Sequence, residues 1–562
     1  MYLRVMGFVM ATALLSAAGP GGMVVSQDRL ASQVGARVLA EGGNAVDAAV
    51  ATAFALAVTH PAAGNLGGGG FMLVRQARGE AEFFDFREKA PKASTPGMFQ
   101  EHGVYSQVLH HESHLAVGVP GTVAGLHASW RAHGSLPWKR LVAPAVALAQ
   151  DGFQVSSQLA SSLEEVLPLM APHPASMAQF SHRGHPYAAG DLLRQEDLAR
   201  TLERIAEEGP AGFYRGETAR LIVQEMKAHG GLITRKDLAE YRCAVRRPLR
   251  GTYRGVEVLA APPPSSGGTV LLEVLNVLEG YDLARQGAAS PLTIHLAAEA
   301  MRRAYADRAL YLGDPDFNPD LPLARLIAKA HGEELRGTIN PGRASTSSPD
   351  TFQWPHETSE TTHLSVVDRA GNAVSLTYTL EDTYGSKMVV PGAGFLLNNE
   401  MGDFNAGAGL TDTTGLVGTR PNLVQPGKRM LSSMAPTILV KNGKVFMVTG
   451  SPGGRTIPNT VLWTILGVVD FGLGAQAAVD APRFHHQWLP DQITYERERM
   501  TPETGAALKA MGHTLKETPH QGCAQVILAD PRGRLTGGAD QHRWADSAAV
   551  AEPPHMPAAA QP

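Results

Sequence analysis

A chain of 562 residues that is 44% hydrophobic and only 18% charged has apolar material for one very large core or two to four domains, which excludes disorder as its default state. Its formal net charge of -4, without long basic runs, provides no electrostatic footprint for nucleic acid or an anionic membrane, so a small-molecule or peptide partner is favoured. Two cysteines, Cys243 and Cys523, are too few and too far apart for a disulfide framework or a cysteine-based zinc site.

Arg4 precedes an apolar stretch from Val5 to Ala18, followed by Gly19-Pro20-Gly21-Gly22. This reads as a secretory signal over residues 1–18, ending at Ser16-Ala17-Ala18, and raises the expectation of export to the periplasm or beyond. A retained anchor or a misassigned start is the alternative, because one arginine is a thin n-region and the stretch is short for a bilayer span. No later apolar run reaches eighteen residues, so no other membrane segment is expected.

Helical spacing from Gln27 to Leu39 ends at Glu41-Gly42-Gly43, and Asn44 can cap a second, alanine-rich helix from Ala45 to Val58. The glycine-rich turn Gly64 to Gly70 leads into strands Phe71 to Arg75 and Glu82 to Arg87, placing Arg87 at a strand end. Helices are expected over Val123 to His133, Trp138 to Gln150, Ser156 to Leu169, Leu192 to Glu208 and Gly216 to His229, and a strand over Val256 to Ala260. Pro262-Pro-Pro-Ser-Ser-Gly-Gly268 reads as a rigid turn, and Gly337 to Glu360, without periodicity, as an exposed, movable connector. The pattern then turns to strands: Thr361 to Val367 and Ala373 to Leu380 around Asp368 to Asn372, then Thr437 to Val440 and Val445 to Thr449 around the type I′ signal Asn442-Gly443. Gly450-Ser-Pro-Gly-Gly454 opens a buried helix, Ala524 to Ala529 is another strand, and the Pro/Ala-rich tail 551–562 reads as disordered.

Several tempting sites fail on spacing. His111-Glu112-Ser113-His114 puts its histidines three apart where the zinc-protease helix needs four, and His485-His486 reads as a packed or exposed pair. There is no G-x-S-x-G elbow, and Gly67 to Gly70 lacks the lysine and hydroxyl of a phosphate loop.

The coherent alternative begins at Thr361. A threonine hydroxyl is a weak nucleophile near neutral pH, but a threonine released as a new N-terminus carries its own base, an α-amine of pKa roughly 7.7 to 8.0. Cleavage at Glu360/Thr361 would create such a site. Taken alone, Thr361-Thr362 is more often plain β-favourable sequence. Around it, however, stand parts for amide chemistry on a zwitterionic acyl donor: Gly453 and Gly454 as oxyanion N–H donors, Arg87 for a carboxylate, Ser432 and Ser433 as hydroxyl donors, and Glu381, Glu400 and Asp403 around an ammonium.

From about Gly22 to about Ser547 the chain strongly resembles the γ-glutamyltranspeptidases, members of the N-terminal nucleophile hydrolases. The resemblance is carried by Gly-Gly-Asn44-Ala-Val-Asp-Ala-Ala, Thr59-His-Pro-Ala-Ala-Gly-Asn65-Leu-Gly-Gly-Gly-Gly-Phe-Met-Leu, Asp85-Phe-Arg87-Glu-Lys-Ala-Pro91, Thr361-Thr-His-Leu-Ser-Val-Val-Asp368, Leu397-Asn-Asn-Glu400-Met-Gly-Asp403-Phe, Lys428-Arg-Met-Leu-Ser432-Ser433-Met and Gly450-Ser-Pro-Gly-Gly454. It implies a mixed α/β fold of the α+β type, a four-layer αββα sandwich made as one precursor. That precursor cuts itself into a large subunit, 19–360, and a small subunit, 361–562, intertwined in one domain.

By position, Thr361 resembles the family's nucleophile and Thr379 the threonine that orients it. Arg87, Ser432 and Ser433 match the holders of the donor's α-carboxylate, Glu400 and Asp403 those of its α-ammonium, and Gly453 and Gly454 the oxyanion pair. Glutathione or another γ-glutamyl compound is the implied donor, water or an amino acid or peptide amine the acceptor, and no cofactor or metal is implied.

Two departures stand out. Glu381 occupies a position where many relatives have asparagine; its charge could bind the ammonium more strongly or raise the pKa of the Thr361 amine, altering the balance of hydrolysis and transfer. The segment Phe404 to Arg429 matches in length the lid loop of bacterial members, with Thr414 where a tyrosine often closes the cleft. Two rivals remain: a related acylase acting on glutaryl or poly-γ-glutamyl donors, and an unprocessed, inactive binding protein on the same fold.

Overall fold

A computed structural model describes residues 21–347, 360–405, 407–408 and 419–553. The expected signal segment, residues 348–359 of the connector before Thr361, residues 406 and 409–418 of the lid segment with Thr414 among them, and the tail from residue 554 lie outside the described residues; Ala551, expected to open a disordered tail, instead ends the strand Ala548–Ala551.

Two antiparallel sheets form the centre. The first has seven strands in the order Ala244–Arg246, Ala81–Asp85, Gly69–Arg75, Ala373–Glu381, Glu360–Val367, Met23–Ser26 and Ala548–Ala551. The second has six: Leu249–Tyr253, Val256–Ala260, Thr437–Lys441, Lys444–Gly450, Gln525–Ala529 and Leu535–Ala539. Each sheet therefore takes strands from both sides of the Glu360–Thr361 bond.

Side-chain alternation along the strands builds the layers. Val24, Met72, Val74, Phe84, Leu364, Val366, Val374 and Leu376 point into a core beneath Arg29–Ala40 and Ala45–Thr59. Their neighbours Met23, Val25, Phe71, Leu73, Phe83, Val367 and Ala373 point the other way, into the core shared with the second sheet. Gly267–Leu278 and Ile457–Val469 cover that sheet's far face, and Pro291–Tyr311 packs on the first of them, completing a four-layer αββα sandwich. Asn44 caps Ala45–Thr59 through a capping box with Asp47, and every residue of this helix is buried, which its alanines allow by close approach.

Element boundaries depart from expectation where side chains redirect the backbone. The strand expected from Glu82 to Arg87 runs from Ala81 to Asp85, because the Asp85 carboxylate accepts the Arg87 N–H at 3.1 Å and turns the chain. The expected helix from Leu192 begins at Glu196, since Leu192–Leu193 pairs as a short strand with Phe153–Gln154. Strand Met23–Ser26 and the 21-residue helix Pro291–Tyr311 went unread, the first for its shortness and the second because its apolar residues do not gather on one face. His485 and His486 are both buried, and both cysteines are free thiols. Among the described residues, no helix is long and apolar enough to cross a membrane.

The same alternation sends Thr361, His363 and Ser365 between the sheets. His363 is fully buried, its ring nitrogens meeting Thr377 Oγ1 at 2.8 Å and Ser365 Oγ at 3.1 Å, and burial pushes its pKa from 6.5 down to about 3. Between those values the unfolded imidazole binds a proton that the folded one refuses, so this group makes stability fall as pH drops, by up to about 1.4 kcal/mol per pH unit. Denaturant midpoints measured from pH 7 to pH 4 should show a shallower acid decline in His363→Gln than in the wild type.

Candidate active site

Thr361 stands opposite Thr379 in the strand pair, while Glu360 stands opposite Glu381, so Leu380 is an extra residue and the ladder bulges at the Glu360–Thr361 bond. Glu381 adopts φ +79°, a left-handed conformation that costs a non-glycine residue about 1 to 3 kcal/mol. Thr361 and Thr379 are 4% and 2% exposed. The Thr361 hydroxyl donates to Thr379 Oγ1 at 3.3 Å, and the same oxygen accepts the Glu381 N–H at 2.9 Å. Asn65 holds Thr379 from behind: its Nδ2 donates to the Thr379 carbonyl at 2.9 Å while its Oδ1 accepts from Gly68 N at 3.0 Å and Thr122 Oγ1 at 2.7 Å. A Cβ on Gly68 would lie 2.0 Å from the Thr379 carbonyl oxygen, which is why the glycine-rich turn can run so close under the site.

Arg87 is fully buried. Its guanidinium pairs directly with Glu400 and Asp403, lies 3.6 Å from Glu88, and also donates to the Met430 and Leu431 carbonyls at 3.4 Å each. Asn398 fixes Glu400 by accepting its N–H at 3.0 Å, and Asn422 fixes Asp403 by donating to its carbonyl at 2.7 Å. The sequence reading assigned Arg87 to a ligand carboxylate and Glu400 with Asp403 to an ammonium; in the structure Arg87 pairs with both of these carboxyl groups. A zwitterion can replace that internal pairing contact for contact, whereas a lone anion would strip Arg87 from its carboxylates without recompense. Burial raises Glu400 well above the ordinary carboxylate range and Glu88 to about 7.

The two serines are prepared as donors. Ser432 Oγ accepts the Met434 N–H at 3.1 Å, and Ser433 Oγ accepts from Arg308 Nη2 at 3.0 Å. Because an N–H and a guanidinium can only donate, each hydroxyl retains its own proton for a ligand, which suits an anion. The Pro262–Gly268 turn locks this arrangement: Ser432 N donates to the Pro264 carbonyl at 2.9 Å, and Ser266 N donates to the Ser432 carbonyl at 2.7 Å.

Gly453 and Gly454 follow strand Lys444–Gly450 with φ of +129° and +52°. Gly454 begins a short 3₁₀ turn running into Ile457–Val469, a strand-to-helix junction of the kind that presents backbone N–H groups.

Thr361, Thr379, Arg87, Glu381, Glu400, Asp403, Ser432, Ser433 and Gly454 line one pocket together with Met434 and Ile457; Gly453 adjoins it through the chain, and the Glu360 side chain is outside the description. The sequence reading missed two side chains that bear on it. His111 Nδ1 meets Glu381 Oε1 at 3.1 Å, and Arg308 reaches Ser433 from the long unread helix while its Nε donates to Ser266 Oγ at 2.7 Å. Nothing in the local sequence ties either to the pocket; only tertiary packing brings them in.

Arg308→Met should raise the donor KM by roughly ten- to a hundredfold, the worth of a hydrogen bond to a charged group, while changing kcat much less. Arg308→Lys should recover part of the loss. Initial rates over a donor series separate the two parameters.

A family model described as Gamma-glutamyltranspeptidase matches residues 31–550. The chain is 48% identical over 527 residues to a glutathione hydrolase proenzyme of Escherichia coli strain K12, covering 92% of this chain and 90% of that protein. In structure it is similar to a cephalosporin acylase of Bacillus halodurans, with a TM-score of 0.83 at 29% identity over 97% of this chain and 99% of that one. It is also similar to a γ-glutamyltranspeptidase chain of Helicobacter pylori, with a TM-score of 0.56 at 45% identity over 59% of this chain and 93% of that one.

Proposed function

The chain belongs to the gamma-glutamyltranspeptidase family, and from that premise we propose that it is a self-cleaving γ-glutamyltransferase and glutathione hydrolase whose nucleophile is Thr361. The observation that carries the reading is the Thr361 hydroxyl set against Thr379 at the wall of a pocket in which Arg87 is paired with Glu400 and Asp403.

In the precursor, Thr361 Oγ1 attacks the Glu360 carbonyl carbon. The tetrahedral adduct collapses with rupture of the C–N bond, the hydroxyl proton passes to the departing Thr361 nitrogen, and an ester remains. Water hydrolyses the ester, freeing the Glu360 carboxylate and the Thr361 amine. Both sheets draw strands from either side of this bond, which supports two fragments that stay associated as large and small subunits.

In turnover the amine takes the Thr361 hydroxyl proton as Oγ1 attacks the γ-amide carbonyl of glutathione or another γ-glutamyl compound. The Gly453 and Gly454 N–H groups stabilise the oxyanion, a donor in such a hole being worth about 3 to 4 kcal/mol. The proton returns to the leaving amine, and the γ-glutamyl ester on Thr361 passes to water, giving glutamate, or to an amino acid or peptide amine, giving a new γ-glutamyl product. Arg87, Ser432 and Ser433 take the donor's α-carboxylate; Glu400, Asp403 and Glu381 surround its α-ammonium. Residues 1–18 extend the proposal to export.

The test compares glutathione with its des-amino analogue on the purified protein, alongside N-terminal sequencing of the smaller fragment. The expected result is a fragment beginning at Thr361 and a strong preference for glutathione. Equal rates on the two donors would replace this substrate assignment with the glutaryl acylase reading.

A further inference from the structure

We propose that His114, Glu225 and His229 form a binding site for a zinc-class divalent cation on the surface, one short segment away from the donor pocket. Their ligand atoms all lie within 4.8 Å of one another. Two imidazoles and a carboxylate form a donor set that zinc takes readily.

The geometry is not explained by hydrogen bonding alone. His114 Nε2 is 2.9 Å from Glu225 Oε1, an ordinary hydrogen bond, but His229 Nε2 is aimed at the same oxygen from 3.5 Å, too far to be a good one. The two rings lie stacked, with centroids 4.6 Å apart and planes 17° from parallel. In a tetrahedral zinc site with bonds of about 2.0 to 2.1 Å, ligand atoms stand roughly 3.3 Å apart, and the two separations bracket that value. Water would take the fourth position.

The mounting suits capture from solution. Helix Gly216–Ala228 carries Glu225, and His229 caps its end one turn later on the same face. The His114 and Glu225 side chains are 10% and 13% exposed, a base already held in place, while His229 is 54% exposed and offers the way in. The segment His111 to His114, discarded above as a zinc motif, is divided by its fold: His111 faces Glu381 at the pocket, and His114 faces Glu225 away from it. A cation on His114 would therefore brace the residues next to one wall of the donor pocket.

The experiment is calorimetric titration of the mature, chelator-treated protein with zinc chloride, with cobalt(II) absorption as a second readout. The wild type should bind one high-affinity equivalent per large-subunit chain and give the visible band of a tetrahedral cobalt site. His229→Ala and Glu225→Gln should each weaken binding at least tenfold and lose that band, while retaining wild-type glutathione hydrolysis without metal as evidence that they are folded. Zinc binding of unchanged affinity in both variants, or no binding by the wild type, overturns the assignment.

Discussion

Thr361→Ala is expected to accumulate as one uncut polypeptide on a denaturing gel and to show no detectable glutathione hydrolysis. The substitution removes the only atom that can form the ester during scission, and without scission no terminal amine exists to act as base. Both losses come from one oxygen, and the fold should survive, because the residue's backbone remains in the central ladder between Ala373–Glu381 and Met23–Ser26. Thr379→Ala should give a graded effect. It removes the oxygen that accepts from Thr361 and from the Glu381 N–H, a loss of about 1 to 3 kcal/mol, or roughly ten- to a hundredfold in processing rate. The time course of precursor disappearance distinguishes the two variants. Two fragments from Thr361→Ala, or turnover by an uncut chain, would remove Thr361 from the chemistry.

Arg87→Ala should still yield two fragments but raise the donor KM by about a hundredfold or more, because it deletes the fork proposed to receive the α-carboxylate. It should also destabilise the protein by about 3 to 5 kcal/mol, the usual consequence of leaving buried charges without their partner. Glu88, Glu400 and Asp403 would face one another around an empty centre. The pH dependence follows from Glu88, which burial already holds at about 7 against an ordinary 4.5. In that window the folded state binds more protons than the unfolded one, so this group lowers stability as pH rises. Removing Arg87 takes away the charge that restrains the shift, so denaturant midpoints of the variant should fall more steeply than wild type between pH 5 and pH 8. Arg87→Lys keeps the charge without the fork and should recover stability more than affinity. A normal donor KM in Arg87→Ala would refute the carboxylate placement.

Much of this protein is written in local pattern. The hairpin at Asn442-Gly443 forms as its turn chemistry requires, with φ of +53° and +73°, and the capped alanine helix after Asn44 lies where its cap puts it. The strand that carries Thr361 was legible for a similar reason: a strand entered directly after a stretch of turn formers is a short-range signal. The Thr361–Thr379 pair lies in the unbroken register that starts at Val367–Ala373 beside a five-residue turn, and the bulge at Leu380 comes only beyond it.

Arg308, His111 and the state of Arg87 were not legible. Arg308 lies on a helix with no single apolar face, and its contact with Ser433 spans 125 positions. His111 sits in a histidine-rich segment whose spacing says nothing of Glu381, and only the fold turns its two histidines to different neighbours. Residue types alone identified an arginine and several carboxylates suited to a zwitterion. That they first neutralise one another in a buried site is a matter of distance and desolvation, which depend on how segments some 300 residues apart are packed. The sequence by itself therefore determined many of the elements and the chemical inventory, because these rest on covalent order and local periodicity. Only the tertiary structure decided which charges meet, which hydroxyl protons stay available and what stands behind them, because those energies belong to contacts between segments far apart along the chain.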